Sequence, residues 1–72
     1  MIKDHYRIRE KPGTYIHYAN MAAQHERKGE YQDAIELWER AENRALNGKN
    51  RDYAKARHQH CTKALEEAKA AA

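Results

Sequence analysis

The densest group of chemically versatile side chains in this sequence is His58, His60 and Cys61. Imidazole and thiolate both ligate zinc, and a Cys–His pair is the kernel of many nucleophilic sites. On a helix, His58 and Cys61 stand three apart and share a face, while His60 points elsewhere. A structural zinc site takes four N or S donors. The other histidines, His5, His17 and His25, show no matching paired spacing, and there is no second cysteine. Only sharing between two copies would complete such a site, so no metal and no cofactor are expected. Nucleophilic catalysis lacks a third, orienting group and a glycine-lined oxyanion loop. The carboxylates Glu36 and Glu39 fall on a polar helical face, and no phosphate-cradling glycine pattern is present. The chain is read as a non-enzyme, with Cys61 a small buried hydrophobe.

Charge offers a second chemistry. The net charge is +3, too small to argue nucleic-acid binding by itself. Its distribution is uneven: Glu30 to Glu42 carries five acids against one base, and Arg44 to Arg57 five bases against one acid. Complementary neighbouring helices account for this pattern, with the acids near a helix start also favoured by its dipole. A basic third helix with Arg51, Lys55, Arg57 and Lys63 has the general form of a recognition helix, so a direct DNA-binding regulator or phage-encoded helper contacting DNA through these four is the alternative reading. Against it stand the adjacent Asp52, the alanine face of the helix and a preceding turn without a helix-turn-helix signature.

These groups must be positioned by a small scaffold. The chain has 72 residues, 40% apolar and 35% charged, with five Tyr, one Trp and no Phe. A domain of this size buries only about 60% of the surface its unfolded chain exposes. One cysteine allows no internal disulfide and suits a reducing cytoplasm. No signal-like apolar run opens the sequence, and no stretch reaches the ~18 apolar residues of a membrane span. A cytoplasmic protein is expected.

Periodicity predicts three helices. Residues 1–13 form an irregular arm ending in Pro12-Gly13, and Thr14 is the expected N-cap of a first helix over Tyr15–Lys28. Gly29 closes it. A second helix runs from Glu30 or Tyr31 to about Leu46. Asn47-Gly48-Lys49-Asn50 is read as a break with positive φ at Asn47 or Gly48. A third helix follows from about Arg51 to Lys69, and 70–72 form a fraying tail, so 14–69 is the domain. Tyr18, Met21 and Ala22 recur at helical spacing in the first helix, and Tyr31, Ala34, Ile35, Trp38 and Ala41 in the second. Cys61 and Leu65, with Tyr53, Ala54, Ala64 and Ala68, mark one face of the third.

Small alanines interlocking with large aromatics on either side of a glycine turn describe an all-α, tetratricopeptide-like helical hairpin with a third packing helix. This is one and a half repeats, fewer than the roughly three that solenoids need, so a homo-oligomer is expected. Tyr15, Ile16 and Leu37 point off the interior face and are the expected partner or oligomer contacts.

From Tyr15 to Leu65 the chain resembles the AraC negative regulator (ANR) family of enteric bacteria. The residues that carry it are Tyr18-Ala19-Asn20-Met21-Ala22-Ala23, then Glu26-Arg27-Lys28-Gly29-Glu30-Tyr31, then Ala34, Leu37-Trp38 and Ala41. They continue through Asn50, Ala54 and Arg57 to Cys61. Tyr53 stands where a Trp is common, and His60 where an aromatic usually precedes the Cys. The resemblance implies a small negative regulator that binds AraC/XylS-type transcription activators and impairs their dimerisation or DNA binding, often at virulence genes. Some members contact nucleoid-structuring proteins.

Overall fold

The computed structural model describes residues 13–71, and the 1–12 part of the arm lies outside them, as does Ala72. The described residues form three helices: α1 (Tyr15–Arg27), α2 (Tyr31–Arg44) and α3 (Gly48–Ala71). No strand occurs among them. α2 packs against both α1 and α3.

The start of α1 follows from Thr14, whose hydroxyl accepts from the His17 N–H at 3.3 Å and satisfies one of the helix's orphan donors. Its end is a Schellman turn. The Gly29 N–H donates to the Glu26 carbonyl at 3.0 Å and the Glu30 N–H to the His25 carbonyl at 2.9 Å. Gly29 makes this possible with φ +79°, a left-handed conformation that a side chain would penalise. α2 therefore starts one residue after the turn and returns antiparallel to α1.

The second connection differs from the sequence expectation. α2 stops at Arg44, two residues short of Leu46, because Ala45 is extended (φ −67°, ψ 132°) and tucks into the interior. Neither Asn47 nor Gly48 takes positive φ; among the described residues only Gly13 and Gly29 do. Asn47 instead caps α3: its side-chain oxygen accepts from the Asn50 N–H at 2.8 Å, and its carbonyl from the Arg51 N–H at 3.1 Å. Asparagine at such a cap is as favourable as serine or aspartate. The segment read as a break is thus the first turn of α3, which begins three residues before Arg51 and continues beyond Lys69 to Ala71.

The core is made of small residues around one large one. Ala22, Ala34, Ala41, Ala54 and Cys61 are fully buried, and Trp38 is 2% exposed. Tyr18, Tyr31 and Ile35 pack against this cluster while remaining partly exposed. Met21 and Leu65 are half-buried and stand outside this cluster. Alanines leave room for the α2 backbone to approach both neighbours, and the indole fills the space between them. Tyr53 closes the cluster from outside, edge-on to Trp38 with ring centroids 5.8 Å apart.

Candidate interaction surface

Glu26 organises the polar groups at the centre of the molecule. One carboxylate oxygen accepts from Trp38 Nε1 at 3.1 Å, and the other accepts from an Arg57 guanidinium nitrogen. His60 Nε2 lies 3.9 Å from the same oxygen. The last turn of α1, the middle of α2 and the middle of α3 therefore meet at one largely buried side chain. The indole N–H is paired rather than stranded, so Trp38 can be buried without an unsatisfied donor. Arg57, one of the four residues considered for DNA contact, is engaged here.

The other three candidates, Arg51, Lys55 and Lys63, are exposed on α3. The acids of α2 do not simply neutralise them: Glu39 lies 3.6 Å from His58 Nε2. The His58, His60 and Cys61 group does not assemble either. Cys61 is fully enclosed, His58 is turned toward Glu39 and His60 toward Glu26. Burial pushes the Cys61 thiol above its ordinary pKa, against the opposing influence of Arg57 and Trp38. A thiol so placed is a poor nucleophile.

Of the three contacts read off the sequence, Ile16 is open, 52% exposed. Tyr15 and Leu37 are partly buried and pack against the core, so each offers only part of its side chain to a partner. Burial raises the Tyr15 pKa, with a further push from Tyr53 nearby. Among the described residues, the most exposed large apolar side chain is one that the sequence reading does not single out. Leu46 is 96% exposed, presented by the short connection whose neighbours Ala45 and Asn47 are both fixed. Read as the last turn of a helix, Leu46 carried no signal in the sequence; only its place in a connection turns it outward. Ile16 and Leu46 lie on one shallow concavity of about 420 Å³, with Tyr15, Arg44 and Asn50 in its walls. Among the described residues, this end of the bundle, beside the start of α1 and the α2–α3 connection, carries two of the three exposed large apolar side chains, the third being Tyr53 on α3.

A second grouping appears at the opposite turn, where His25, Glu30 and Asp33 come together. No family model, curated protein or solved structure matches this chain. No helix among the described residues is long and apolar enough to cross a membrane.

Proposed function

We propose that this chain is a small cytoplasmic regulator that acts by protein contact, binding an AraC/XylS-type transcription activator and impairing its dimerisation or its hold on DNA. The carrying observation is the Ile16–Leu46 concavity: two large aliphatic groups turned to solvent on a domain whose fully buried side chains are alanines, one cysteine and one tryptophan. Exposed apolar groups clustered at a concave end favour a partner surface over isolated scatter. The resemblance in sequence supplies the partner. Its most distinctive residues, Glu26, Gly29, Trp38, Ala41, Arg57 and Cys61, form the turn, the core and the polar node. They define a scaffold, and the partner contact falls to residues beside them.

The test is to mix the purified chain with such an activator and follow activator dimer by sedimentation and operator occupancy by footprinting. Both should fall as the chain is added. Unchanged dimer and occupancy at saturating chain would overturn the reading.

Direct DNA binding remains a second reading because Arg51, Lys55 and Lys63 are exposed along α3. Three cations neutralising three phosphates give a log–log salt slope of about −2.7. Binding to arbitrary duplex with that slope, lost when all three are changed to glutamine, would favour it over the first.

A further inference from the structure

The α1–α2 turn brings an imidazole and two carboxylates from separate positions into one small volume. One donor atom each from His25, Glu30 and Asp33 lies within 4.8 Å of the others. His25 Nδ1 is 2.6 Å from Glu30 Oε1 and 3.9 Å from Asp33 Oδ2. We propose that these three side chains form a binding site for a divalent transition-metal ion of the zinc class.

The backbone argues for a prearranged site. The Schellman turn ties Glu30 to His25 through the main chain at 2.9 Å, so the two side chains emerge side by side. Asp33 follows in the first turn of α2, three residues along and on the same side. The donor set fits the ion class: one imidazole nitrogen with two carboxylate oxygens suits zinc and its neighbours, whereas magnesium and calcium take oxygen alone. Metal–ligand bonds of 2.0–2.2 Å in a tetrahedron place donors about 3.4 Å apart. The two separations from Nδ1 bracket that value and the two carboxylates lie within 4.8 Å of each other, so side-chain rotation can bring all three onto one ion. His25 is about a third exposed and the carboxylates more so, leaving solvent access for water to fill the remaining coordination position.

His25 Nδ1 and Glu30 Oε1 share a hydrogen bond in the structure. The metal takes the lone pair of Nδ1 in the neutral ring whose single proton sits on Nε2; any proton held at Nδ1 moves to Nε2 or is released to solvent on binding. A metal held there links the last turn of α1 to the first turn of α2 and so braces the hairpin at its glycine.

Titration calorimetry of the full chain with zinc chloride in a non-chelating buffer tests this directly. One zinc per chain is expected, with a rise in melting temperature on zinc addition. Losing an outer partner of a metal site costs roughly 10–100-fold in affinity, so losing a direct ligand in His25→Asn or Asp33→Asn should cost at least as much. Both changes lie on the surface, and far-UV circular dichroism verifies that the variants are folded. His60→Gln should bind as the parent does. Absence of zinc binding by the parent chain, or equal affinity in the parent, His25→Asn and Asp33→Asn proteins, would overturn the proposal, as would a loss that follows His60→Gln instead.

Discussion

Glu26 on α1 and Arg57 on α3 form an ion pair although 31 residues separate them, and the same carboxylate accepts the indole N–H of Trp38 on α2. One side chain thereby joins all three helices. Glu26→Ala leaves two donors without their partner, and a loss of about 1–3 kcal/mol is expected in urea unfolding. Glu26→Gln keeps an acceptor for the indole while losing the charge, so it should cost less than Glu26→Ala. A double-mutant cycle with Arg57→Ala should give a coupling energy clearly above zero. Strict additivity would mean that the pair contributes nothing.

Trp38 carries most of the core's large apolar surface. Truncation to alanine should cost about 3–5 kcal/mol, against a total of about 4–11 kcal/mol for 72 residues. Trp38→Ala should therefore be largely unfolded by far-UV circular dichroism near its parent's melting temperature. Trp38→Phe keeps much of the volume but gives up the bond to Glu26, so it should remain folded with a lowered urea midpoint.

The concave end can be separated from the fold. Leu46→Asp and Ile16→Asp sit at exposed positions and should change stability within about 0.5 kcal/mol. Both should weaken capture of the activator in a pull-down. Leu37→Asp, in contrast, disturbs a side chain packed on the core and should lower the melting temperature. Parent-like capture by both concave-end variants would move the contact elsewhere.

Cys61 should react slowly with a disulfide reagent until the protein opens, because the thiol is enclosed and its pKa raised by burial. The sign of the pH effect follows. The folded chain keeps this proton at a pH where the unfolded chain has lost it, so the contribution to stability is complete below the unfolded thiol value, about 8.5. It declines as pH rises and is gone above the folded value. Tyr15 adds a change of the same sign at higher pH. Urea midpoints measured from pH 7 to 10 should fall less steeply in Cys61→Ala than in the parent.

The helices and most of the core were legible because periodicity and glycine act locally. Thr14, Gly29, Ala34, Trp38 and Ala41 each stand where spacing placed them. Asn47 is ambiguous in sequence because the same residue type favours both a left-handed turn and a helix N-cap, and only the hydrogen bond to Asn50 distinguishes them. The same ambiguity conceals Leu46, which is exposed only because α2 ends before it. Arg57 was read as a surface cation because charge along one helix says nothing of a carboxylate two helices away. The turn at His25, Glu30 and Asp33 escaped notice for a related reason. Spacing rules hold within one helix, and this group forms across a reversal of the chain.

The alanine interior has a consequence for how this protein tolerates change. In most cores the harmful substitutions remove atoms. Here, apart from Trp38, the fully buried side chains have few atoms to lose. Damage should come from growth: a valine at Ala34 or Ala41 would wedge α2 away from its neighbours, at a cost of about 1–3 kcal/mol. Drift in this sequence is therefore confined from above in volume, and an added methyl at an alanine becomes the more informative probe of each helix contact.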